Sequence, residues 1–267
     1  MQTRAAVIND FSSFGRCSLA VTIPILSAMG VQCCSVPTAF FTNHTGFKNF
    51  SWQDNTDHLD DYIKDWQATG LKFDGVLSGF LGSVKQVEYV KRFVNTFKPR
   101  LVVVDPVMGD YGKLYSTYSK ELAEEMRSLV SIADVLTPNL TEAYVLAGEE
   151  YMANPSDEEL RALVAKITKS LRQKDIVITG IVRGETICNC VNGEMIASKK
   201  LGVDRSGTGD VFSSVILGEL LRGSTFVNAV DSANLFVEHA IERSMALNLP
   251  TNYGLAIEEV LGDLCRI

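Results

Sequence analysis

The run Arg205-Ser206-Gly207-Thr208-Gly209-Asp210, opening a helical pattern over residues 211–222, carries the densest chemistry in this 267-residue sequence. Two glycines one residue apart let the backbone turn tightly and bring several N–H groups close to one point. The start of a helix adds partial positive charge, so such a nest holds a phosphate or a developing anion. Asp210 is the odd element, because its carboxylate would repel a phosphate if it faced the same way. The natural resolution is that it faces a second ligand, a hydroxyl about to attack that phosphate. The same four residues, Gly207 to Asp210, also suit an ordinary tight turn followed by a first-turn acid.

A second pattern is Asn139-x-x-Glu142, just past an apolar run. One helical turn puts both side chains on the same face, and an amide with a carboxylate suits Mg²⁺, directly or through its waters. Alone, Glu142 is equally a first-turn acid favoured by the helix dipole. No GxxxxGK[ST] or GxGxxG occurs, so P-loop and dinucleotide-binding readings lose their main support. His44, His58 and His239 are far apart and in no metal-ligand spacing. The adjacent Cys33 and Cys34 point to opposite faces of a strand, and Cys188-x-Cys190 alternates on another with no second pair to complete a zinc site. All six cysteines read as reduced packing residues.

These groups need a frame that gathers them. Short β-branched runs alternate with helical patterns almost to the end. Strands are expected over 5–9, 31–37, 75–78, 101–104, 134–136 and 176–179. Helices are expected over 19–29, 56–68, 84–97, 119–130, 141–147 and 156–171, the last opening on the N-cap run Ser156-Asp157-Glu158-Glu159. Residues 185–198 read as a hairpin turning at Asn192-Gly193, and helical segments follow over 208–222, 225–247 and 254–264. This is an α/β chain with a doubly wound, mostly parallel sheet and a late β-hairpin, with helices on both faces. With no repeat or linker, residues 1–267 read as one domain. In open α/β sheets ligands bind beyond the carboxyl ends of the strands. Asp10, the segment 43–46, Asp105, Thr137 and Gly180 follow five such strands.

Composition narrows the classes. With 46% hydrophobic residues the chain can bury a substantial core, and a net charge of −7 argues against gripping a nucleic-acid backbone. The apolar stretch 18–41 is broken by Pro24, Gly30, Gln32 and Pro37, so it reads as a core helix and a buried strand rather than a membrane span. No secretory signal is evident, and the cytoplasm is the expected compartment.

Taken in order, Asn43-His44-Thr45-Gly46, Phe80-Leu81-Gly82-Ser83, Asp105-Pro106-Val107-Met108-Gly109-Asp110, Thr137-Pro138-Asn139-Leu140-Thr141-Glu142 and Gly207-Thr208-Gly209-Asp210 resemble the pyridoxal kinases of the ribokinase-like superfamily. The resemblance runs from residue 5 to about 245. It implies a three-layer αβα sandwich and transfer of the γ-phosphoryl group of ATP to the 5′-hydroxymethyl group of a vitamin B6 vitamer. Under it, Asp210 matches the base and Gly207, Thr208 and Gly209 the anion hole. Asn139 and Glu142 match the magnesium–phosphate site. Asp105, Thr137 and Thr179 match positions that bind nucleotide phosphates and often a monovalent cation such as K⁺; Asp105, Thr137 and Glu142 are the metal candidates. Asp10, Thr45 and Gly46 match contacts to the vitamin, and residues 110–118 a flexible stretch over the phosphates. A homodimer is implied as well.

One position departs from the pattern: pyridoxal kinases usually carry Ser where this chain has Asp10. Hydroxymethylpyrimidine kinases carry an Asp there, followed by a glycine-rich run that Phe14-Gly15-Arg16-Cys17 does not reproduce. The alternative substrate is therefore the thiamine-precursor pyrimidine, or both. Sugar and nucleoside kinases usually add a small β-sheet lid, for which residues 10–70 leave no room. A binding protein without turnover would be expected to have lost Asp210, Glu142 or the glycines, and all remain.

Overall fold

Along residues 4–12 the side chains alternate between two apolar layers: Ala5 and Val7 enter one, Ala6 and Ile8 the other. A strand buried on both faces belongs inside a parallel sheet covered by helices on each side. In the computed structural model, which describes residues 2–115, 118–169, 175–202 and 204–265, this is the arrangement of the central strands.

The elements are β1 (Arg4–Ser12), α1 (Ser18–Ala28), β2 (Gln32–Phe41), β3 (Trp52–Asp54), α2 (Leu59–Ala68), β4 (Gly75–Ser78), α3 (Val84–Phe97) and β5 (Leu101–Val104). Then come β6 (Gly109–Asp110), β7 (Lys113–Leu114), α4 (Lys120–Leu129), β8 (Val135–Leu136), α5 (Leu140–Ala147) and α6 (Asp157–Thr168). The chain ends on β9 (Asp175–Arg183), β10 (Thr186–Val191), β11 (Glu194–Lys199), α7 (Thr208–Leu221), α8 (Phe226–Ala246) and short 3₁₀ turns. Among the described residues the main sheet runs β11-β10-β9-β8-β5-β4-β1-β2-β3, and β6 pairs with β7 separately. The pairings from β9 through β2 are parallel, and the edges are antiparallel, β10 and β11 on one side and β3 on the other.

One face of the sheet buries Val76, Val102, Val104, Ile176 and Ile178 beneath α3, α4, α5 and α6. The other buries Leu77, Val103 and Val177 beneath α1, α7 and α8. This is the three-layer αβα sandwich, mostly parallel, with the late hairpin. Asn192 (φ 52°) and Gly193 (φ 95°) make its turn, a conformation that Asn-Gly favours. Cys33 packs with the α1 layer and Cys34 with the α3 layer, as adjacent strand residues must. Cys188 and Cys190 are buried, whereas Cys265 is exposed and does not serve packing. No helix among the described residues is long and apolar enough to cross a membrane.

The structure departs from the sequence reading in several places. β1 runs on to Ser12, so Asp10 lies inside the strand rather than past its end; it is tolerated there because its carboxylate is hydrogen-bonded by Ser12 and Ser18. β2 extends to Phe41, and the polar region after it contributes the short edge strand β3. Residues 56–58 form a 3₁₀ turn ahead of α2. Gly180 also lies within a strand rather than past its end, because β9 continues beyond Thr179 to Arg183 to pair with β10. The stretch 110–118 contains an unforeseen hairpin, β6–β7; Ser116 and Thr117 lie outside the described residues. The expected helix over 156–171 is described to Thr168, and Leu171 lies outside the described residues. Segment 254–264 is not one helix but two 3₁₀ turns. Leu255, Ile257, Val260 and Leu264 are buried at irregular spacing, which no single helix face can provide.

Candidate active site

α7 begins at the anion-binding run itself: Gly207 is the N-cap, and Thr208, Gly209 and Asp210 are the first three helical residues. Their N–H groups have no partner within the helix, and the helix dipole makes their surroundings positive. Gly207 has φ 76°, and a Cβ there would come 2.0 Å from the Arg16 carbonyl oxygen, so no other residue fits without displacing backbone. The Thr208 hydroxyl donates to the Arg205 carbonyl at 2.8 Å and fixes the turn.

Asp210 reaches toward β1. Its Oδ1 accepts from Asn9 Nδ2 at 3.0 Å, and its carboxylate also accepts the Ser18 backbone N–H. Burial raises its pKa, and these two hydrogen bonds pull it back. Ser18 sits at φ 53°, a strained conformation for a residue with a side chain. Its hydroxyl donates to Asp10 Oδ1 at 2.6 Å, while Ser12 donates to Asp10 Oδ2 at 3.0 Å. One strained residue therefore ties Asp10 and Asp210 together. Burial pushes Asp10 up to about 6, against the two hydroxyls and with help from the charge of Asp210.

Asp105 follows β5 directly and is buried. Burial, then the charge of Asp210, holds its carboxyl well above the usual range, and a hydrogen bond from Ser213 opposes this. A Cβ on Gly209 would lie 3.8 Å from Asp105 Oδ2, which places the anion nest against this carboxylate. On the neighbouring strand the Thr137 N–H donates to the Val104 carbonyl, so Thr137 and Asp105 are side by side. The Thr137 hydroxyl is buried with no hydrogen-bond partner.

Asn139 and Glu142 sit together at the start of α5, as a reciprocal capping box. Asn139 Oδ1 accepts the Glu142 N–H at 3.0 Å, and Glu142 Oε2 accepts the Asn139 N–H at 2.8 Å. Glu142 Oε1 accepts the Met108 N–H at 3.0 Å, and Asn139 Nδ2 donates to the Gly109 carbonyl at 2.8 Å. The pair thus anchors β6 as well as α5. Burial raises the pKa of Glu142 well above the usual range, Asp105 adding to it. Thr179 bridges to Asn139, its N–H donating to the Pro138 carbonyl at 2.9 Å.

Thr45 and Gly46 are exposed on the loop after β2. That loop is held by His44, whose Nδ1 accepts the Gly46 N–H at 3.0 Å while Nε2 faces the Asn252 carbonyl at 2.7 Å. The acceptor role of Nδ1 leaves the proton on Nε2. A Cβ on Gly46 would lie 3.7 Å from Ser206 Oγ, so the loop abuts the anion nest. His44, weak evidence by spacing, is thus a structural anchor of the site. Asn9 was also not anticipated; a polar residue inside an otherwise apolar strand was the signal that could have found it. Asp110, on the β6–β7 hairpin, is pushed up to about 6 by burial and by Asp204.

Asp10, Asp105 and Asp210 therefore face one cleft at the carboxyl ends of the central strands, bordered by a helix N-terminus, a buried unpartnered hydroxyl and the 43–46 loop. Among the described residues no three carboxylate, imidazole or thiolate groups gather closely enough to ligate a metal by themselves. The cleft combines an anion nest with an acceptor aimed beside it, the requirement for transferring a phosphoryl group to a hydroxyl.

Residues 22–254 match the phosphomethylpyrimidine kinase family. Pyridoxal kinase of Arabidopsis thaliana is 32% identical over 72% of this chain and 66% of its own length, so the chain spans about two thirds of that relative. Hydroxymethylpyrimidine/phosphomethylpyrimidine kinase of Aquifex aeolicus is 32% identical over 65% of this chain and 69% of that protein. A putative phosphomethylpyrimidine kinase from Bacteroides thetaiotaomicron, crystallised with pyridoxal, superposes with a TM-score of 0.92 at 35% identity, covering 99% of this chain and 96% of that one.

Proposed function

This chain belongs to the phosphomethylpyrimidine kinase family, and from that premise we propose that it phosphorylates the 5′-hydroxymethyl group of vitamin B6 vitamers with ATP. The observation that carries the reading is the pairing of Asp210 with the anion nest at the start of α7, on the element that also borders Asp105. Pyridoxal kinases among the relatives, and pyridoxal in the Bacteroides structure, support the vitamer as acceptor.

The N–H groups of Thr208 and Gly209 neutralise charge on the migrating phosphoryl group, while Asp210 orients the substrate hydroxyl and accepts its proton. A loose transition state asks for alignment more than for a strong base. Thr45, Gly46 and Asp10 line the vitamin side, and Asn139, Thr179 and Asp105 the nucleotide side. The oxygen donors Asp105 and unpartnered Thr137 suit a hard cation such as Mg²⁺. Glu142, whose oxygens both accept backbone N–H groups, would reach the ion through water. Bound there, Mg²⁺ offsets the negative charge of the ATP phosphates. K⁺ near Asp105 and Thr179, a homodimer and a cytoplasmic location complete the reading.

The pyrimidine kinase reading is favoured by one feature, the acid at position 10, and by relatives such as the Aquifex enzyme. Initial rates with pyridoxal, pyridoxine, pyridoxamine and hydroxymethylpyrimidine, with product masses, separate the two. The reading expects a phosphorylated vitamer at the highest kcat/KM; turnover of the pyrimidine alone would replace it. Asp210→Asn is expected to lower kcat by about 10²- to 10⁴-fold with ATP affinity little changed. A variant within about tenfold of the parent would remove Asp210 from its role.

A further inference from the structure

Asn9 is 2% exposed and lies in β1 one residue before Asp10. Its amide has no freedom of orientation. Oδ1 accepts two backbone N–H groups, from Asp10 at 2.9 Å and from Phe80 at 2.8 Å. Only the oxygen of an amide accepts, so Nδ2 must lie on the other side, where it donates to Asp210 Oδ1 at 3.0 Å. The backbone of Gly79 closes the back of the side chain: a Cβ there would stand 2.4 Å from Asn9 Cγ. The amide is thus wedged between its own strand and the backbone of residues 79–80, with its NH₂ group on the side of the acid.

We propose that Asn9 is the positioning residue of this kinase, its wedged amide fixing the plane of the Asp210 carboxylate toward the acceptor hydroxyl. The proposal rests on the reading of Asp210 as the base and adds the group that acts through it. Asp210 shares its cleft with Asp10 and Asp105, so some donor must favour charge at Asp210 itself. A Lys or Arg in that place would form an ion pair and hold the carboxylate too firmly to take a proton. A neutral amide orients the carboxylate and leaves it able to accept.

Asn9→Asp separates positioning from structure. A carboxylate oxygen still accepts the N–H groups of Asp10 and Phe80, so the structural role survives. Toward Asp210 the side-chain donor is lost and only the Ser18 N–H remains, leaving either two like charges or one shared proton between positions 9 and 210, and both make Asp210 a poorer acceptor. The expected result is a folded protein whose kcat falls about 10- to 100-fold while its KM for ATP stays within about twofold of the parent. Asn9→Ala, which also removes the donor, should show the same split between kcat and KM if the Asp variant does not fold.

Asp210→Asn runs alongside. If Asp210→Asn is inactive and a folded Asn9 variant keeps kcat within about threefold of the parent, the role of Asn9 falls and the base stands. If Asp210→Asn itself retains turnover, the base reading falls first. If kcat and the KM for ATP change together, or if neither Asn9 variant folds, Asn9 is structural and the proposal is overturned.

Discussion

Three carboxyl groups crowded at one cleft set a pH dependence that belongs to single residues. Asp10 is buried and is pushed from its ordinary 3.8 to about 6. Between those values the folded chain holds a proton at Asp10 that the unfolded chain has released. Stability from this group is therefore fully present below about 3.8 and is lost as pH rises through about 6. The loss amounts to roughly 1–3 kcal/mol for a shift of this size. Asp10→Asn keeps an acceptor for Ser18 and cannot ionise. Urea unfolding of both proteins at pH 4, 6 and 8 should show the parent losing more stability than the variant across that range. Equal slopes would mean that Asp10 keeps its ordinary pKa.

At the scale of elements, α5 owes its start to the capping box and passes that order on to the neighbouring hairpin, because Asn139 both caps the helix and holds the Gly109 carbonyl. Asn139→Ala should cost about 1 kcal/mol in urea unfolding, and Asn139→Ser, which keeps a capping oxygen, only part of that. Equal costs would show that the cap contributes nothing. Most of the layered fold was legible in the sequence, because buried parallel strands and amphipathic helices leave distinct periods. The elements that escaped are those whose order comes from partners far along the chain. β3 is a short, exposed strand paired only at one edge, and β6–β7 is held by the capping box. The extension of β1 depends on hydroxyls from Ser12 and Ser18 that donate hydrogen bonds to both oxygens of a buried acid. In the same way the GTGD run could be read as a nest, but the link from Asn9 to Asp210 spans 201 positions and has no local pattern.

That span sets the behaviour of the whole molecule. The cleft needs β1 and Ser18 from the start of the chain, Asp105 and α5 from its middle, and α7 from near its end. Two further contacts join the same ends, Ser214 donating to Thr22 at 2.8 Å inside the α1–α7 interface and Arg222 donating to the Met29 carbonyl at 2.8 Å. Both apolar layers lie on one sheet, so neither can be lost while the other keeps its strands covered. The expectation is one cooperative unit over the chain, and unfolding should remove secondary structure, tertiary signal and nucleotide binding in a single transition. A ligand bound only by the folded form at about 100 times its Kd adds about 2.7 kcal/mol, which in a chain of this size raises Tm by roughly 5–10 °C. Calorimetry with and without ADP and pyridoxal tests this directly. A second transition that ligand leaves in place would divide the chain into independent parts and detach the cleft from one of its layers. A single transition displaced upward by either ligand would tie both sides of the cleft to the stability of the entire sheet.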